Sequence, residues 1–201
     1  MDVSDVERIV EVHCITFPDS LLTHLGRPYL RHYYAQYFKH PQHYAVVAEI
    51  DGRIVGFITG TACPDDLNSR VYRPPLGTAF QSALRIFTDP VLRRHLALKP
   101  PHVARVFRAF AGRRVRTRSF QSSAKARLLS MGVLPEVRGR RIAESLLRGI
   151  SDRLCADGQS LIGSSVIKSN TSALTLYDRI GWHREFEDEY GVYFTRPTQA
   201  V

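Results

Sequence analysis

Residues Leu128 to Arg148 read L-L-S-M-G-V-L-P-E-V-R-G-R-R-I-A-E-S-L-L-R. The first part has the character of a buried strand: Leu128, Leu129, Met131 and Val133 form an apolar run that breaks at Pro135. From Ile142 the spacing turns helical. Ile142, Leu146 and Ile150 fall four apart, with Ala143, Leu147 and Leu154 beside them. Strand, short basic loop and helix is a layout that leaves a helix N-terminus free to hold an anion. The first four N–H groups of a helix have no partner inside it, and a Ser, Thr, Asp or Asn usually supplies one. Between Glu136 and Ile142 there is no such residue, only Val137, Arg138, Gly139, Arg140 and Arg141. Free donors, a glycine and three guanidiniums therefore converge. That combination suits a diphosphate or triphosphate; it also describes a plain solvated basic turn.

A second stretch favours the ligand. Asn170 to Trp182 reads N-T-S-A-L-T-L-Y-D-R-I-G-W. Taken together, the two stretches resemble the GNAT superfamily of N-acetyltransferases. That family has V-x-P-x-x-[RQ]-G-x-G-[IL]-[GA] after its fourth strand and N-x-x-A-x-x-x-Y-x-x-x-G-[FW] further on. Val133, Pro135, Arg138, Gly139, Ile142 and Ala143 match the first motif; Asn170, Ala173, Tyr177, Gly181 and Trp182 match the second. The order and spacing make the pair far more specific than either alone. The family has glycine where this chain has Arg141. An arginine keeps the N–H donor and adds a cation, but a side chain turned inward would obstruct the phosphates.

The resemblance implies an α/β fold: a GNAT-type mixed central sheet flanked by helices, over one domain from 1 to 201. It implies acetyl-CoA as co-substrate and no metal. The diphosphate would rest on the N–H groups of Arg138, Gly139, Arg140, Arg141, Ile142 and Ala143, with the Ser145 hydroxyl one turn in. A backbone N–H among Met131, Gly132 and Val133 would polarise the thioester carbonyl. Asn170 would bond the pantetheine arm, and Tyr177 would give a proton to the leaving sulfur. Asn170 and Tyr177 lie two helical turns apart and so share a face. The alternatives are a plain helix cap for Asn170 and a core anchor for Tyr177.

Composition sets outer bounds. The chain has 201 residues, 44% hydrophobic and 23% charged, which is the profile of a soluble globular protein with a sizeable core. No apolar run approaches the roughly 18 residues of a membrane span. The acidic start, Met-Asp-Val-Ser-Asp, lacks a signal peptide's basic and apolar regions. Cys14, Cys63 and Cys155 form neither a metal-ligand spacing nor a disulfide framework. A reducing cytoplasm is the expected location.

Along the chain, Ser4 and Glu7 form a capping box that opens a helix ending at Phe17-Pro18. The family has a strand before this helix, and only Met1 to Val3 precede it here. Pro18 to Gly26 reads as a loop. A second helix from about Pro28 carries Tyr29, Tyr33, Tyr34, Tyr37 and Phe38, an aromatic run expected mainly in the core. Tyr44 to Ile50 and Arg53 to Gly60 flank Asp51-Gly52, a two-residue hairpin signal. After the basic loop and its helix, Leu161 to Ile167, Trp182 to Glu187 and Gly191 to Thr195 read as further strands.

Residues 63–124 interrupt the family pattern as a basic helical insertion between its third and fourth strands. Prolines punctuate it, and between them the spacing predicts two or three short amphipathic helices. Leu76, Phe80, Leu84 and Phe87 share one face; Val103, Val106, Phe107 and Phe110 share another. The formal charge of the chain is +9, yet Cys63 to Lys125 alone holds thirteen basic and three acidic residues. A flap packed on the core with a solvated basic outer face is the first reading. An acceptor-side lid for an anionic substrate and a surface for anionic lipid or nucleic acid are the others.

The expected activity is acetyl transfer to a primary amine, with a small molecule or amino sugar favoured as acceptor. No general base is identifiable; Glu49, Glu136, His24 and His183 are the residues to consider. A GNAT-fold CoA-binding module with weak catalysis is the alternative. Neither nucleic acid nor a membrane is expected as a partner, and a homodimer is left open.

Overall fold

The computed structural model describes residues 4–71, 73–98, 122–189 and 191–198. Helix α1 (Asp5–Thr16) leads into α2 (Leu21–Leu25), α3 (Arg27–Ala35) and a 3-10 turn at Gln36–Phe38. A hairpin follows, β1 (His43–Ile50) and β2 (Arg53–Thr61), turned by Asp51 and Gly52, both with positive φ. Then come α4 (Pro64–Val71), α5 (Leu76–Thr88) and α6 (Pro90–Leu98). The last third comprises β3 (Ala126–Val133), α7 (Ile142–Ala156), β4 (Leu161–Ile167), α8 (Thr171–Arg179), β5 (His183–Glu187) and β6 (Gly191–Pro197).

The strands form one mixed sheet in the order β1-β2-β3-β4-β6-β5. Every pair is antiparallel except β3 with β4. Period-two alternation divides the core between two faces. Phe57 of β2 joins Ile9, Val10, Leu30 and Tyr34 from α1 and α3. Its neighbour Ile58 joins Leu146, Ile150 and Leu154 of α7 on the other face. Ile150 and Leu154 are completely buried, and each contributes about 1.5–3 kcal/mol by leaving water.

Several local expectations change. Ser4 precedes α1 without capping it through its side chain, because its backbone is already helical. Glu7 pairs with Arg27 and Arg31 of α3 instead of reaching back. The stretch 18–26 is not all loop: it contains α2, whose N-cap Ser20 accepts from Thr23 N–H at 3.1 Å. The aromatic run is core, with Tyr29, Tyr34 and Tyr37 buried. Between β2 and β3 three helices are described, but α5 turns its apolar face outward rather than into the core: Leu76, Phe80, Leu84 and Phe87 are all exposed. The second face, Val103 to Phe110, and any strand at Met1–Val3 lie outside the described residues.

Candidate functional site

The site begins where the sheet opens. β3 and β4 pair only at Ala126–Ile162 and Arg127–Gly163. Beyond those rungs β3 stays paired with β2 as far as Val133, and β4 stays paired with β6 as far as Ile167. Both strands therefore continue side by side without bonding each other.

The direction of the β3 backbone groups follows from one bond. Leu134 N–H donates to Val55 C=O at 2.9 Å, so it faces β2. Backbone groups alternate sides along a strand. The N–H and C=O of Val133 and Met131 accordingly face the opening, and those of Gly132 face β2. The Val133 carbonyl confirms the alternation, since Arg138 Nε reaches it at 3.2 Å. Of the three residues expected to polarise a carbonyl, Met131 and Val133 present donors to the gap. Gly132 has a packing role: a Cβ there would lie 2.6 Å from Thr16 Oγ1 at the end of α1.

The loop after β3 makes the second wall. A 3-10 turn at Pro135–Val137 precedes Gly139 (φ 82°) and Arg141 (φ 57°), and α7 begins at Ile142. Arg141 occupies the N-cap position in a left-handed conformation and provides no side-chain cap. Ser145 N–H takes the first intrahelical bond, to Arg141 C=O at 3.1 Å. The N–H groups of Ile142, Ala143 and Glu144 precede it and have no acceptor within the helix. The left-handed backbone explains why glycine suits position 141, and an arginine there carries about 1–2 kcal/mol of strain.

A cavity of about 570 Å³ opens between this helix end and α8. Val133, Val137, Ile142, Leu176 and Ile180 give it apolar walls, and Arg138, Gly139, Arg141 and Ala143 form its loop side. Glu144 also borders it, but its carboxylate is held by Arg179 of α8 at 2.7 Å. A second cavity of about 300 Å³ shares Arg141 and Glu144 and runs along α7 past Ser145 and Arg148. Arg140 borders neither cavity. Donors, guanidiniums and an apolar channel in this order fit an anionic head on an uncharged arm, so the residues present fit coenzyme A.

Tyr177 and Asn170 take other positions. Asn170 caps α8, its Oδ1 accepting from Ala173 N–H at 3.1 Å. Tyr177 is buried against Trp182 and Phe194, and its hydroxyl lies 2.9 Å from Ser164 Oγ on β4. Burial pushes the Tyr177 phenol up to about 12, so it stays protonated at neutral pH. Its helix neighbours Leu176 and Ile180 line the cavity, whereas Tyr177 itself does not. Sequence reading missed Ser164. The polar pair Ser164-Ser165 in an otherwise apolar strand was its only signal, and the strand pattern does not tell which serine meets the tyrosine.

The four base candidates are each committed elsewhere or far from the gap. Glu49 faces Arg8, Glu136 faces Arg53, and His24 Nδ1 lies 2.8 Å from Asp89. His183 is exposed at the start of β5. A buried histidine that sequence reading did not single out, His13, lies 2.6 Å from Tyr34 Oη and 3.1 Å from Ser20 Oγ. Burial lowers its pKa to about 4.

Among the described residues one group has metal-ligating atoms close together: His40, His43 and Asp66, within 4.8 Å of one another. His43 bonds Thr61 and Asp66, and Asp66 also holds Arg70, so hydrogen bonding accounts for the arrangement. It sits at the Thr61 end of β2, remote from the Gly56–Val133 pair beside the opening.

No family model matches the sequence, and no curated protein does. Solved structures do match over nearly the whole chain. The PaiA N-acetyltransferase from Thermoplasma acidophilum, in complex with coenzyme A, is 12% identical with a TM-score of 0.58, covering 98% of this chain and 95% of its own. The protein SsHAT is 22% identical, with a TM-score of 0.57 and the same coverage. The ribosomal-protein-S18-alanine N-acetyltransferase from Escherichia coli is 12% identical, with a TM-score of 0.53, covering 100% of this chain and 92% of its own. With the parted strands, the uncapped helix and both motifs in place, the chain has the fold of the GNAT N-acetyltransferases.

Proposed function

We propose that the protein is an N-acetyltransferase that moves an acetyl group from acetyl-CoA to a primary amine, with a small molecule or amino sugar as the favoured acceptor. The observation that carries this reading is the meeting of two features at one cavity: the parted edge of β3 and the uncapped, arginine-rich start of α7. The likeness to a fold that holds coenzyme A in PaiA supports it.

When bound, acetyl-CoA supplies an acetyl group activated as a thioester. The chain's part is to hold and polarise. The N–H groups of Ile142, Ala143 and Glu144, with Arg138 and Arg141, provide the positive ground for a diphosphate. Met131 and Val133 N–H provide donors where negative charge grows on the carbonyl oxygen. The amine nitrogen forms the new C–N bond as the C–S bond breaks. Tyr177 Oη–H is the proton source proposed for the departing sulfur, and the Ser164 hydroxyl fixes its direction. The amine's surplus proton passes to solvent.

The test is calorimetric titration with acetyl-CoA, then free-thiol release over a panel of amines with mass detection of the product. Saturable binding and amine-dependent thiol release are expected. A folded protein that binds no acetyl-CoA rejects the proposal.

A second reading has specific support. Tyr177 does not border the cavity, Asn170 is engaged as a cap, and each base candidate is tied elsewhere or distant. A CoA-binding module with weak catalysis would bind acetyl-CoA and release no thiol with any amine in the panel.

A further inference from the structure

We propose that the outer face of α5 and α6 docks on an anionic membrane surface. Leu76, Phe80, Leu84 and Phe87 are 91%, 71%, 55% and 77% exposed, and Val91 at the start of α6 is 42% exposed. Spacings of four, four and three put the α5 residues in one stripe. The helix is not loosely placed, because its other side is anchored. Ser82 is buried and bonds Leu25 C=O, Ile86 packs on the core, and Leu92 of α6 is completely buried. An anchored helix that turns two phenylalanines and two leucines to water marks an interaction surface.

The charge around the stripe selects the partner. Arg73, Arg85, Arg93 and Arg94 are exposed. Of the three acids in the insertion, Asp66 is engaged by Arg70 and His43, and Asp89 by His24 and by Val91 and Leu92 N–H, and four exposed arginines outnumber the three. The local field is therefore positive. A second copy of the chain would bring the same guanidiniums face to face. The stretch 99–121 carries seven Lys and Arg and no acid beside its apolar residues Val103, Val106, Phe107 and Phe110, so covering the stripe with it would also crowd like charges at the margins, and a stripe so covered would give no flotation. A nucleic acid would answer the charge but leave four large apolar side chains in water. A bilayer with anionic lipid answers both, taking the rings and leucines at the acyl boundary and the guanidiniums among the headgroups. The sequence left an anionic surface as one reading of this insertion beside a flap packed on the core; the outward orientation of the stripe favours the former.

The experiment is flotation of the full chain with phosphatidylcholine vesicles and with vesicles that also contain phosphatidylglycerol. Salt-sensitive flotation on the anionic vesicles alone is expected. The variant F80S/F87S should abolish it without altering the circular dichroism spectrum, since both rings are exposed. The variant R93Q/R94Q should weaken it about twenty-five-fold, at about fivefold per cation. Equal flotation on both vesicle types, none on the anionic ones, or retention by F80S/F87S overturns the proposal. So does a dimer that F80S/F87S dissociates in the absence of vesicle binding. Salt-sensitive binding to nucleic acid that survives F80S/F87S, again without flotation, has the same consequence. None of these outcomes depends on acetyl transfer.

Discussion

The Tyr177 hydroxyl meets Ser164 Oγ at 2.9 Å, across the junction of α8 with a strand that has parted from β3. Either hydroxyl can donate in that pair; an acid at Tyr177 requires Ser164 to donate, leaving the phenol proton for the sulfur. If Tyr177 serves as the acid, Tyr177→Phe lowers turnover by about a hundredfold or more while leaving CoA affinity unchanged. Ser164→Ala, which only frees the phenol to rotate, lowers turnover about tenfold, the value of one hydrogen bond. A purely structural pair would show lower melting temperatures in both variants and unaltered turnover.

Arg141 sits in a left-handed conformation that glycine adopts without strain. Arg141→Gly should therefore stabilise the fold by about 1 kcal/mol, read by urea unfolding. CoA affinity moves separately. Tighter binding in the variant means that the arginine obstructs the groove; weaker binding means that its charge contributes.

Asn170 can be both a cap and a ligand group, and two substitutions separate the roles. Asn170→Ala should cost about 1 kcal/mol of stability, and Asn170→Ser should restore most of it, because serine caps as well. CoA affinity that returns with serine indicates that the cap alone matters. Affinity that stays low in the stable serine variant indicates a contact made by the amide.

His13 makes stability fall in acid. Burial holds it neutral in the fold with a pKa of about 4, against 6.5 when unperturbed. Between those values the unfolded chain binds the extra proton, so stability is full above pH 6.5 and declines as pH drops towards 4. The loss amounts to about 3 kcal/mol. His32 and His43 are also lowered by burial and act in the same sense. The His13 share is read as the difference between wild type and His13→Gln in urea unfolding across this range; parallel curves would reject it.

Much of the architecture was legible because its signals are local. Asp51-Gly52 specified the hairpin, Leu161–Ile167 declared itself by β-branched and apolar content, and the uncapped start of α7 could be read from the residue types between Glu136 and Ile142. The losses have different causes. Periodicity tells which residues lie on a common face, not where that face points, so Phe80 and Phe87 were grouped correctly and oriented wrongly. Helix α2 is only five residues long, too short to show a period. The Tyr177–Ser164 contact depends on how α8 folds back across the strand before it, and the parting of β3 from β4 on strands distant in sequence; no local pattern encodes either.

A sheet fastened across its middle by two rungs resembles a book with a short spine. One leaf, β1 to β3, lies between α1 and α3 on one side and α7 on the other; the second leaf, β4 to β6, is backed by Tyr177 and Trp182. Anything threaded between the leaves supplies the missing rungs from outside. Occupancy should thus first appear as slowed amide exchange along the two facing margins, at Met131 and Val133 above all, and only afterwards as resistance to global unfolding.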